Sequence, residues 1–64
     1  MSKPEVGDVI VAEWPGSGPE EFAISAIRPD ENGVLCAVFG KDGTVGAEAV
    51  EDLRLKDGCW RVKQ

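Results

Sequence analysis

The hydrophobic residues of this chain fall into short runs that are separated by turn dipeptides. The strongest run covers residues 34–39, VLCAVF, which is rich in β-branched side chains and predicts a strand buried on both faces. Asp42 and Gly43 follow, and an Asp-Gly pair between two such runs predicts a tight hairpin because its turn needs positive φ. We therefore expect residues 44–50 to form the partner strand.

Other segments also have strand patterns. Residues 9–14 alternate so that one face, which ends at Trp14, is wholly apolar and is expected to lie in the core. Residues 22–27 alternate in the same way, and residues 59–62 form a short last strand. Residues 15–19, PGSGP, are predicted to be a loop because prolines and glycines do not fit a strand interior.

Turn signals also recur between the remaining segments, at residues 32–33 and 57–58. Residues 51–53 predict a short helical corner before the last strand pair, and no stretch has a convincing helical period. Five or six short antiparallel strands are expected to curl into a small all-β barrel, because an open sheet would leave a face and two edges uncovered. The alternative is a flat meander that dimerises through its open face.

The length of 64 residues predicts one domain, residues 6–64, after a flexible N-terminal lead, residues 1–5. A domain of about 60 residues buries only roughly 60% of the surface that its unfolded chain exposes. We therefore expect no large internal active site in a single copy.

The net charge changes the set of expected partners. Twelve acidic and seven basic residues give a formal charge of −5, which opposes nucleic-acid binding and favours either cationic partners or simply solubility. A third interpretation is that the carboxylates mimic nucleic acid, which would require them to cluster in rows. No apolar run approaches the roughly 18 residues of a membrane span, so we expect a cytoplasmic or otherwise intracellular protein.

The residue types needed for most catalytic and metal sites are missing. The chain has no histidine and no tyrosine, so neither a serine triad nor the commonest general base can be built. Cys36 and Cys59 are too few for structural zinc and are expected to be reduced, small apolar residues. The sequence therefore predicts a protein that is not an enzyme and has no metal or cofactor.

The aromatic residues supply the remaining candidate site. Trp14, Phe22 and Phe39 are predicted at strand ends that could converge at one rim of the barrel, with Asp42 beside them. Ring faces and carboxylates attract cations, by about 0.5–1 kcal/mol for an exposed contact. The predicted ligand-binding residues are Trp14, Phe22, Phe39 and Asp42. The alternative is that the two phenylalanines fill the core and the tryptophan covers one end.

A series of short sequence elements between residues 6 and 55 resembles the Tudor domain, a bent SH3-like barrel of five strands. The resemblance implies an aromatic cage for methylated lysine or arginine, with walls at the three aromatic positions named above. The elements are Gly7-Asp8, Ala12-x-Trp14, Phe22-Ala23-Ile24, Ile27, Val38-Phe39, Asp42-Gly43 and Val50-x-Asp52-Leu53.

Two departures from the Tudor pattern bear on the ligand. The fourth cage aromatic falls at Asp42, and the asparagine of arginine-reading members falls at Thr44. A cage carboxylate can accept a hydrogen bond from a lower methyl-ammonium, which keeps an N–H group. The resemblance therefore implies a basic peptide or protein partner, with mono- or dimethyl-lysine preferred over trimethyl-lysine.

The second half of the chain also resembles the barrel of plasmid-borne type II dihydrofolate reductase, which acts as a tetramer. The resemblance lies in Gly43-Thr44-Val45, Val50 and Leu53. The positions of that family's catalytic Gln and Tyr are Gly46 and Glu48 here, which argues against folate chemistry. The alternative function is therefore a stand-alone microbial or mobile-element barrel that self-associates as a homo-oligomer, with its aromatic residues used for packing.

Overall fold

The computed structural model describes residues 3–14, 16 and 18–63, without the side chain of Trp14. Within these residues the chain is all-β, as predicted, with one 3₁₀ turn before the last strand pair. The elements are β1 (Val9–Trp14), β2 (Gly18–Pro29), β3 (Leu35–Lys41), β4 (Thr44–Ala49), the 3₁₀ turn (Val50–Asp52), β5 (Leu53–Lys56) and β6 (Cys59–Val62).

The strands form one sheet in the order β4-β3-β2-β1-β6-β5. The expectation of antiparallel pairing throughout is wrong for one pair, because β6 runs parallel to β1. The expected closure into a barrel is not confirmed, because the described sheet is open, with β4 and β5 as its outer strands. The β5–β6 hairpin explains this difference, since β6 occupies the position beside β1 and leaves β5 outside it.

Strand β2 is longer than predicted and belongs to both halves of the sheet. Its first part pairs with β1, and its second part, from Ile24 onward, pairs with β3. The register shifts at Ser25, whose hydroxyl donates a hydrogen bond to the carbonyl oxygen of Val38 at 3.1 Å. Such bulges bend a strand and increase its twist. The loop prediction is wrong for Gly18 and Pro19, which begin β2, where proline is tolerated at the start of a strand.

The Asp-Gly turns have the predicted backbone conformation. Asp42 and Gly43 have φ of 52° and 82°, and Asp57 and Gly58 have φ of 53° and 81°. Two consecutive positive φ values define the type I′ turn, whose twist matches that of the flanking strands. These turns set the hairpins β3–β4 and β5–β6.

The core lies on one face of the curved sheet. It contains the predicted inward residues Ile10 and Ala12; the side chain of Trp14 lies outside the described structure. The expectation that residues 34–39 are buried on both faces is wrong, because Leu35 is exposed and the outer face of β3 is only half-buried. The described chain has a single sheet, so no second layer covers that outer face. The buried hydrophobic residues are Ile10, Ala12, Phe22, Ile24, Ala37, Phe39, Leu53 and Trp60.

The segment before β1 is connected to the last strand. The carboxylate of Asp8 accepts hydrogen bonds from the Glu5 backbone N–H at 3.0 Å and from the Trp60 indole N–H at 3.1 Å. Pro4 is buried in the same region. These contacts place residues 4–8 against the β5–β6 hairpin.

Candidate functional site

The strand register determines how far apart the backbones of the candidate aromatic residues lie. We predicted Phe22 at the entry of its strand and therefore beside Trp14. The structure pairs Phe22 with Ile10 and pairs Trp14 with Gly18, because β2 begins four residues earlier than predicted. At about 3.3 Å per residue, the Trp14 backbone lies about 13 Å along the strands from that of Phe22. The direction of the Trp14 side chain falls outside the described residues.

Phe22 and Phe39 are brought into direct contact. Their ring centroids lie 5.5 Å apart with an angle of 40° between the ring planes. Both side chains are buried, with 5% and 2% of their surfaces exposed. The two rings therefore belong to the core and expose little surface.

A lysine of the same chain lies beside this ring pair. The ammonium nitrogen of Lys41 is 5.9 Å from the centroid of the Phe22 ring. The same nitrogen lies 3.1 Å from a carboxylate oxygen of Glu20. A ring and a carboxylate thus hold one ammonium group between them, which is the chemistry of a cation–π site.

Asp42 is the remaining predicted site residue, and it follows Lys41 directly. It is exposed and has the left-handed conformation of the type I′ turn. Aspartate tolerates this conformation better than most residues. Its position in the turn therefore has a structural reason.

The sequence reasoning did not include Glu20 and Lys41 among the site residues, although their proximity to Phe22 follows from strand spacing and register. Glu20 and Phe22 are two residues apart and share one face of β2. Ile24 pairs with Phe39, so Phe22 and Lys41, two residues away in each strand, lie next to each other. The sequence could have indicated Glu20 and Lys41 only if the register between β2 and β3 had been known, and the hydrophobic pattern did not determine that register.

A groove of about 710 Å³ opens on the surface of the sheet. Both outer strands line it, with Gly46, Ala47 and Glu48 from β4 and with Arg54 and Lys56 from β5. No ion pair joins these acidic and basic side chains in the described structure. The groove therefore has unpaired charge of opposite sign on its two walls.

The same groove reaches the neighbourhood of the ring pair. Pro19, which precedes Glu20, and Phe39 both contribute to its lining. Phe39 also pairs across the β3–β4 hairpin with Gly46. A ligand that follows β4 along the groove would therefore pass close to the Phe22–Phe39 rings.

Other kinds of site are not indicated in the part of the chain that the structure describes. No three His, Cys, Asp or Glu residues are grouped as a metal site there. Cys36 and Cys59 are both half-buried free thiols. No helix among the described residues has the length and hydrophobicity needed to cross a membrane.

Comparison with protein-family models found no match, and neither did the searches of curated proteins and of solved structures.

Proposed function

We propose that this chain is a non-enzymatic, Tudor-like binding module that recognises a cationic peptide. The proposed site comprises Phe22, Phe39, Asp42 and Trp14 from the sequence prediction. The observation that carries the proposal is the Lys41 ammonium group, which lies between the Phe22 ring and a carboxylate. In the free protein this lysine occupies the place that a lysine of the ligand would take.

The proposal requires an exchange of one ammonium group for another. The two rings are buried, so an incoming lysine must displace Lys41 before it can contact Phe22. The Lys41 side chain remains 60% exposed and its ion pair with Glu20 is at the surface, where such pairs contribute about 0–1 kcal/mol. Displacement is therefore energetically inexpensive.

The carboxylates favour a ligand that can still donate a hydrogen bond. Glu20 contacts the ammonium group directly, and Asp42 lies in the adjacent turn. Mono- and dimethyl-lysine keep an N–H for such an acceptor, whereas trimethyl-lysine has none. We therefore propose a preference for the lower methylation states.

The scaffold that we propose is an SH3-like barrel that is open along one side. Three features favour it: the long β2 shared by two halves of the sheet, its bulge, and the 3₁₀ turn between β4 and β5. These three features bend the sheet, so that its short strands curve around one small core.

The test is an NMR titration with lysine peptides that carry zero, one, two or three methyl groups. We expect shifts at Phe22, Phe39 and Asp42. We also expect the Lys41→Met variant to bind the peptides more tightly, because the competing ammonium group of Lys41 is then absent. Lys3→Met is the matched control, since it removes the same charge from an exposed residue that makes no ion pair in the described structure and does not line the groove. Equal affinities of both variants, or shifts elsewhere, would contradict the proposal.

Self-association is the second candidate function, and the outer strands favour it. β4 and β5 have no strand neighbour on their outer sides in the described sheet. Val45 on β4 and Leu55 on β5 are large hydrophobic residues with 71% and 49% of their surfaces exposed. Sedimentation velocity over a range of protein concentrations tests this candidate, and a constant monomer mass would exclude it.

A further inference from the structure

The two outer strands differ in how well they are protected against pairing with another chain. Natural proteins protect such edges with short strands, lysines or prolines. β5 has four residues and carries Arg54 and Lys56, whereas β4 has six residues with no lysine, arginine or proline. Val45, the second residue of β4, is exposed. β4 is therefore the edge that can accept an added strand.

Charge then selects the kind of strand that can be added. The segment from the β3–β4 turn to the end of the 3₁₀ turn, residues 42–52, contains four carboxylates and no basic residue. Two copies that pair β4 with β4 would bring two such segments together, and like charges across strands are destabilising. An acidic peptide or a nucleic acid would be repelled in the same way. A cationic peptide has the complementary charge. The four carboxylates belong to Asp42, Glu48, Glu51 and Asp52.

The two faces of β4 define the pattern that the peptide needs. Glu48 pairs with the buried Ala37 and therefore lies on the groove side, whereas Val45 points to the other side. A strand added to β4 alternates in the same way. Its residue beside Glu48 should be basic, and its outer residues should be apolar, beside Val45.

A glycine connects this edge to the cation site. Gly46 pairs with Phe39 and places no side chain on the groove side of β4. A long basic side chain from an added strand can therefore cross β4 at this point toward the Phe22–Phe39 rings. The edge and the ring pair would then act on one ligand.

From these observations we propose that the cationic ligand binds as an extended strand added to β4, with alternating basic and apolar residues. This inference rests on the proposed function and adds its binding mode. Main-chain hydrogen bonds would supply affinity, and the alternating side chains would supply specificity. The backbone of the ligand thus becomes part of the recognition.

The test uses a peptide of about eight residues that alternates lysine and valine, long enough to span β4. Two further peptides have the same sequence, with backbone nitrogens methylated at the odd or at the even positions. N-methylation at alternate positions removes the backbone N–H donors along one edge of the bound peptide and leaves all of its charges unchanged. We expect one of these two peptides to bind about tenfold more weakly than the parent peptide. When the parent peptide is bound, we expect hydrogen exchange to slow at alternate backbone amides of β4.

Each result separates the binding mode from the function itself. If both N-methylated peptides bind as tightly as the parent while Phe22 still shifts, strand addition is overturned and the cation site stands. If the parent peptide and the methyl-lysine peptides all fail to bind, both proposals are overturned. If β4 amides become protected only as protein concentration rises, a second copy is the occupant and this inference is wrong.

A matched pair of variants tests the role of charge at the edge. Glu48→Lys should weaken binding of the parent peptide about tenfold, because it places a positive charge in the groove beside a positively charged ligand. Glu31→Lys makes the same change in the β2–β3 turn and should have a much smaller effect. Equal effects would show that overall charge, and not the β4 edge, selects the peptide.

Discussion

Asp8 shows how one side chain can connect two distant parts of a small domain. It follows the positive-φ residue Gly7 and precedes β1. Its carboxylate accepts from the backbone of Glu5 and from the indole of Trp60, which is 52 residues away in the sequence. Because Trp60 is buried, its N–H needs an acceptor within the protein.

Replacing Asp8 by alanine should therefore destabilise the fold. An unsatisfied buried donor costs about 1–3 kcal/mol, and we expect Asp8→Ala to lower the free energy of unfolding in urea by this amount. Glu31→Ala, which removes an exposed carboxylate with no contact in the described structure, should have little effect. The loss should shrink in a Trp60→Phe background, and an undiminished loss there would show that the indole bond is not its cause.

At the scale of elements, β5 illustrates how little of a short strand is buried. Leu53 enters the core directly after the 3₁₀ turn and is 5% exposed, whereas Leu55, on the same face, is 49% exposed. Both pair with β6, with Leu53 opposite Val62 and Leu55 opposite Trp60. The strand is therefore held mainly by its first residue.

These two leucines form a matched pair for measuring the importance of the core at β5. Leu53→Ala should cost about 2–4 kcal/mol, because it removes buried methyl groups and leaves a cavity. A core of this size supplies only about 3–5 kcal/mol, so this variant should be marginally folded. Leu55→Ala should cost less than about 1 kcal/mol, as expected at a half-exposed site. Equal losses in urea titrations would contradict this account of the hairpin.

At the scale of the whole molecule, the charge is divided unevenly along the chain. Residues 1–52 contain eleven acidic and three basic side chains, whereas residues 53–64 contain four basic and one acidic. The β5–β6 hairpin is therefore a basic part of an otherwise acidic domain. The cationic ligand that we propose would therefore be attracted toward β4 and repelled from β5.

Association with a cationic peptide should therefore depend on ionic strength. The Debye length is about 10 Å at 0.1 M salt and about 3 Å at 1 M salt, so long-range attraction is lost over this range. We expect the association rate to fall several-fold as salt increases, with a smaller change in the dissociation rate. Stopped-flow fluorescence measures both rates. A salt-independent association rate would show that the acidic surface does not attract the ligand.

Local backbone chemistry explains which parts of the fold could be predicted from the sequence. The boundaries of β1 and β6, the two type I′ turns and the 3₁₀ turn were predicted closely, because alternation and Asp-Gly pairs act over a few residues. The start of β2 was missed, because Gly18 and Pro19 are poor strand formers that pair with β1 only through tertiary contacts.

The sequence by itself determined an acidic, all-β domain with tight hairpins. Only the tertiary structure decided that β6 runs parallel to β1, that β4 and β5 are left as open edges, and that Lys41 lies against Phe22. Turn geometry depends on φ at single residues, whereas these features depend on which distant strands pair and in which register. In a short chain with few buried residues, the local sequence pattern does not determine which distant strands pair or in which register.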